Sequence, residues 1–159
     1  MARTAAALVA AAGILLLAQA KVNRSEPSNE AWAIGALRAI SSGQAAFAAL
    51  NRGYAASLTT LTTGCGQRAF LSPDLAADPT VHRGYAVRIH VPPGTTSGPA
   101  DCNGVATAVS YYATATPLQP TTGATRAFAV DATATIWTDT RGVAPTPPFK
   151  ESATTRPLR

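Results

Sequence analysis

From Ala33 to Phe47 the buried-type positions return at three- and four-residue steps, through Leu37, Ile40 and Gln44. That spacing predicts an amphipathic helix with one stripe against a core. The helix is expected from about Pro27 to Asn51. Ser25 or Ser28 can cap it, Pro27 suits the first turn, and Glu26 and Glu30 favour the positive end of its dipole. Gly53 is the expected stop. A second stripe of small residues, Gly35, Ala39 and Gly43, runs along the same helix. Each glycine inside a helix costs on the order of 1 kcal/mol relative to alanine. A close approach, by the protein's own sheet or by another helix, would offset that cost.

The pattern then changes period. Tyr54 to Pro79 is rich in loop residues, with weak helical turns near Ser57–Leu61 and Ser72–Ala77. Tyr85, Val87, Ile89 and Val91 alternate with Ala86, Arg88 and His90, which predicts a half-buried strand ended by Pro92-Pro93-Gly94. Thr95 to Gly104 reads as a connection. Val105 to Thr116 is a second strand, with Val109 and Tyr111 its best core candidates. Pro117, Pro120 and Gly123 break it. Arg126–Val130 and Thr133–Thr138 form a closing hairpin around Asp131-Ala132. From Gly142 to Arg159 four prolines and few anchors predict an extended or disordered tail. No internal repeat is visible.

Composition limits what such elements can bury. Hydrophobic residues make up 47% of the chain but aromatic residues only 6%, and much of the rest is alanine. The core must rest on few anchors: Trp32, Leu37, Ile40, Phe47, Leu50, Phe70, Tyr85, Tyr111, Phe128 and Trp137. The net charge is +5. The arginines are scattered singly (Arg38, Arg52, Arg68, Arg83, Arg88, Arg126, Arg141), without the aromatic–basic interleaving of a nucleic-acid platform. A solvated basic surface is the simpler reading, and nucleic acid is not expected as a partner.

The helix carries wording as well as periodicity. Asn29-Glu30-Ala31-Trp32-Ala33-Ile34-Gly35-Ala36-Leu37-Arg38-Ala39-Ile40, followed by Gln44, Phe47 and Tyr54, resembles the head-packing half of the long helix in type IV pilins and type II secretion pseudopilins. Gly84-Tyr85 with its alternation, a Tyr-rich strand ending in Ala-Thr-Pro-Leu, and Gly-Ala-Thr-Arg-Ala-Phe-Ala-Val-Asp follow in the order of small pilin-like heads. The likeness covers about Asn29 to Asp139. It implies an α+β fold, with an N-terminal α-helix packed on a three- or four-stranded antiparallel sheet. It also implies work by assembly with like or related subunits.

The N-terminal residues depart from the pilin pattern. There is no Gly-Phe junction, and no glutamate heads the apolar run. Arg3 is followed by Ala5 to Ala18 without a polar side chain, then by Ala18-Gln19-Ala20, a small-x-small cleavage step. As a helix that run would span about 21 Å, short of the roughly 30 Å of a bilayer core. Residues 1–20 are therefore read as a signal peptide cut after Ala20 or as a short membrane anchor. A membrane is a partner only in the second case. Residues 21–141 form the pilin-like domain and residues 142–159 the Pro-rich tail. Either reading exports the chain to the periplasm, cell surface or exterior. There Cys65 and Cys102, each flanked by loop residues, are expected to form a disulfide. Its loop-entropy contribution would be about 4 kcal/mol.

Catalytic chemistry is hard to assemble from these residues. His82, in a loop, and His90, on the outer face of its strand, have no carboxylate or cysteine at a ligand spacing. No Gly-x-Ser-x-Gly, P-loop or dinucleotide fingerprint occurs. Asp131 and Asp139 flank the closing hairpin and read as surface or turn residues rather than as a calcium site. The expectation is a non-enzymatic subunit without metal or cofactor. A soluble exported binding domain released by signal peptidase is the alternative, and a small secreted enzyme the least supported.

Overall fold

The structure, a computed structural model, describes residues 25–66, 68–119 and 126–158. The apolar run, the cleavage step at Ala18 and Ala20, and the side chains offered as caps at positions 25–28 lie outside what it describes. The chain is an α+β fold with an N-terminal helix and an antiparallel sheet of six strands.

Helix α1 spans Ser25–Asn51. Its buried side is Ala33, Ala36, Leu37, Ile40, Gln44, Phe47 and Asn51, the three- and four-residue stripe read from the sequence. The stop falls one residue earlier than expected. Arg52 takes the left-handed conformation, φ 58°, and its amide bonds back to the Ala48 carbonyl at 2.9 Å. Gly53 is needed for a different reason: a Cβ there would collide with the Thr107 side chain. Helix α2, Leu58–Thr63, is capped by Ser57, whose side chain accepts the Thr60 amide. A 3₁₀ turn follows at Pro73–Leu75.

The strands are β1 Thr80–His82, β2 Tyr85–His90, β3 Ser97–Ala100, β4 Ala106–Ala108, β5 Tyr112–Pro117, β6 Ala127–Asp131, β7 Ile136–Asp139 and β8 Thr155–Pro157. The main sheet has the order β1-β2-β5-β6-β7-β8, and β3 with β4 make a separate hairpin. The expected three or four strands are thus corrected to six. The additions are the short edges. Residues 83–84, both at positive φ, make a two-residue hairpin turn that folds β1 onto β2. His82 consequently belongs to a strand and not to a loop. β8 lies in the segment expected to be an extended or disordered tail, and pairs with β7 through Trp137↔Pro157, Thr138↔Arg156 and Asp139↔Thr155.

The second expected strand is divided. Residues between β4 and β5 leave Val109 exposed, while Tyr111 is buried, so Val109 is not a core residue. Leu50 is also exposed, at 61%, because it lies on the side of α1 away from the sheet. Cross-strand register places Val87, Ala115, Phe128, Thr138 and Arg156 in one row on one face. Ile89, Ala113, Val130 and Ile136 form the next row. The helix packs across β2, β5 and β6 on this face. Alanines at 113 and 115, both fully buried, leave room for it to lie close to the sheet. Tyr85, Tyr111, Phe47 and Phe128 are the largest fully buried side chains. Such large buried side chains contribute about 1.5–3 kcal/mol each relative to exposure.

Candidate interaction surface

The side of α1 away from the sheet is unlike the outer face of most surface helices. Ala31, Gly35, Arg38, Ala39, Ser42, Ala45, Ala46, Ala49 and Leu50 are exposed there. Only Arg38 among them is charged. A solvent-facing helix surface is ordinarily rich in charged residues; this one is small, smooth and mostly apolar. At its C-terminal half Ala46, Ala49 and Leu50 meet Ala69 and Phe70 in a depression of about 570 Å³, with Arg68 beside it. Asn29–Asn51 is long and apolar enough to cross a membrane, but one face of it forms the protein core.

The six helix positions singled out from sequence separate by face. Leu37, Ile40 and Phe47 are fully buried. The small stripe does not act as a unit. Gly43 is buried, and a Cβ there would stand 2.7 Å from the Phe70 carbonyl oxygen. It is the point where the loop after α2 crosses the helix. Gly35 and Ala39 are exposed, and a Cβ at 35 would meet nothing within 4 Å. An intramolecular close approach explains Gly43 and leaves Gly35 unexplained.

The rigidity of this surface comes from polar bonds behind it. Gln44 is fully buried. Its side-chain amide donates to the Ala55 carbonyl and its oxygen accepts the Ala55 amide, both at 2.8 Å. The glutamine thereby pairs with the following loop as a strand neighbour would. Asn51 donates to the Phe47 carbonyl at 3.1 Å and accepts the Cys102 amide at 3.1 Å. Cys65 and Cys102 are joined in a disulfide, Cα atoms 5.6 Å apart. It ties the loop after α2 to the β3–β4 turn, and Asn103 reinforces the link by donating to the Gly64 carbonyl at 2.7 Å. The C-terminal end of α1 is therefore anchored to both segments.

The histidines and aspartates singled out from sequence do not converge on one another. Among the described residues no three His, Cys, Asp or Glu side chains stand close enough to hold a metal ion. His82 lies against Trp32, ring centroids 4.8 Å apart. His90 lies on the outer sheet face, stacked on Tyr112 and bonded to the Thr114 hydroxyl at 2.9 Å. Burial and then the Arg88 charge lower its pKa, against an opposing pull from Asp78. Asp131 is a turn residue, its carboxylate accepting the Thr133 amide and hydroxyl. Asp139 is not a surface residue but is buried, at 1% exposure. It accepts the Arg141 amide and guanidinium and the Thr154 and Thr155 hydroxyls. Burial opposes its ionisation, but the bonds from Arg141, Thr155 and Thr154 outweigh it and hold the carboxyl well below its usual range. The node was not legible from sequence because two of its partners, Thr154 and Thr155, lie in the segment expected to be a tail.

Compared with protein-family models, with curated proteins and with solved structures, the chain matches none.

Proposed function

We propose that this chain is an exported, non-enzymatic structural subunit of the pilin or pseudopilin type. It acts by assembly or surface display, and a second copy docks on the exposed face of α1. The observation that supports this most is the outer face of that helix, where Arg38 is the only charge among nine exposed positions from Ala31 to Leu50. Small side chains at Gly35 and Ala39 let a second helix approach closely, so that dispersion contacts accumulate along the axis. The disulfide supports export, since such bonds persist in oxidising compartments. The α+β architecture, with one helix laid across an antiparallel sheet, is compatible with the wording of Asn29 to Asp139.

Cross-linking tests the docking face. Ala39→Cys, in the exported protein as isolated from cells, should yield a disulfide-linked dimer under mild oxidation. Thr133→Cys, in the exposed β6–β7 turn, should not. Equal yields from both positions, or monomer from both, would remove the basis for this reading.

A further inference from the structure

Beyond the edge of the helix, the sheet carries a second feature that assembly does not use. The row Phe128, Thr138 and Arg156 crosses β6, β7 and β8 on the helix-facing side. Arg126, two residues before Phe128, projects on the same side. Arg126, Thr138, Arg156, Pro157 and Leu158, with Glu151, line a cavity of about 490 Å³, within the size range of small-molecule sites.

The polar groups of this cavity are not equally committed. The Arg126 guanidinium is held by Glu30 at 2.8 Å and 3.1 Å and lies over the Phe128 ring at 5.4 Å. It is fixed and already neutralised. Arg156 has no ion-pair or side-chain hydrogen-bond partner among the described residues. The Thr138 hydroxyl lacks a hydrogen-bond partner among the described residues, and Thr138 is only 1% exposed. Leaving a buried hydroxyl unpaired costs about 1–3 kcal/mol. A valine would fill the same space without that cost, so the hydroxyl needs a reason.

We propose that this cavity binds a small carboxylate bearing a short apolar group. Arg156 supplies a planar fork that matches a carboxylate, and Thr138 supplies a hydroxyl donor beside it in register. Pro157 and Leu158 offer apolar wall for the rest of the molecule. Glu151 on the rim opposes further negative charge, which favours a monoanion over a dianionic phosphate.

Titration with butyrate, using butyramide as the uncharged control, tests this. The readout is the NMR signals of the Arg156 side chain and of Thr138 in the full chain. Butyrate should shift both saturably, and butyramide should bind at least tenfold more weakly, about the value of one charge-assisted hydrogen bond. Arg156→Gln should remove a similar factor. Thr138→Val should weaken butyrate while leaving the protein at least as stable, which a purely structural threonine would not do. Glu151→Gln should improve inorganic phosphate binding more than butyrate binding. The proposal is overturned if the shifts do not saturate or spread over Arg38, Arg52 and Arg88. It is equally overturned if Arg156→Gln binds butyrate as the wild type does.

Discussion

At the residue scale, the protein relies on a few polar side chains placed where a thin core needs them. Gln44 is the clearest. Replacing it with leucine would keep the apolar stripe but leave the Ala55 amide and carbonyl without their side-chain partners. An unpaired buried backbone group costs about 1–3 kcal/mol, so Gln44→Leu should lower stability by at least that much in a denaturant titration. The two helix glycines make a contrasting pair. Gly35→Ala should stabilise by roughly 0.5–1 kcal/mol, since the helix gains propensity and the site is open. Gly43→Ala should destabilise, because its Cβ has to displace the Phe70 backbone. Thermal melting of the two variants should therefore move in opposite directions. The sequence alone showed the stripe but not this division, because spacing places residues on a face without saying what stands opposite.

At the element scale, periodicity was the most readable signal. The helix, the β2 alternation and the β6–β7 hairpin each follow from spacing over several residues. Short edges were not legible in that way. β1 has only three residues, and Arg83-Gly84 is not among the dipeptides that signal a two-residue hairpin, since arginine seldom adopts the positive φ it takes here. β8 escaped because prolines at 145, 147, 148 and 157 suggested a tail. Pro157 is tolerated there because β8 is the edge strand, where a missing amide need not break a ladder. Besides its backbone pairing with β7, side chains hold this segment: Asp139 gathers Thr154 and Thr155, and Phe149 packs on Trp137, ring centroids 5.6 Å apart. The depressed Asp139 carboxyl gives this docking a pH dependence. Its contribution is fully present above the unfolded carboxylate value of about 3.9 and is lost progressively as pH falls below it. Amide exchange at Leu158, which bonds the Ile136 carbonyl at 2.7 Å, should accelerate below about pH 4 before the β2–β5 amides do. Asp139→Asn should reproduce that loosening at neutral pH. Uniform exchange across the sheet at low pH would show that β8 is not held separately.

At the scale of the whole molecule, one architecture supports two surfaces on opposite terms. The helix buries one face on β2, β5 and β6 and leaves the other exposed and nearly uncharged, the face proposed to receive a second copy. The cavity at the β7–β8 end combines an uncommitted arginine with an orphaned hydroxyl. That Gly35 and Ala39 share one helix face was legible from their spacing; both are exposed, although Gly43 of the same stripe proved buried. The sequence could not disclose the cavity, because Thr138 and Arg156 lie on two strands that meet through register and Arg126 lies just before a third. The disulfide and the Asn51 and Gln44 bonds anchor the C-terminal half of the helix, so the proposed docking would require little reordering there. Sedimentation of the exported protein, wild type beside Gly35→Leu, tests the central claim most directly. The account predicts that the wild type forms concentration-dependent oligomers, while Gly35→Leu stays monomeric and melts no lower than the dilute, monomeric wild type. A wild type that remains monomeric at every concentration, or a Gly35→Leu variant that associates just as strongly, would contradict it.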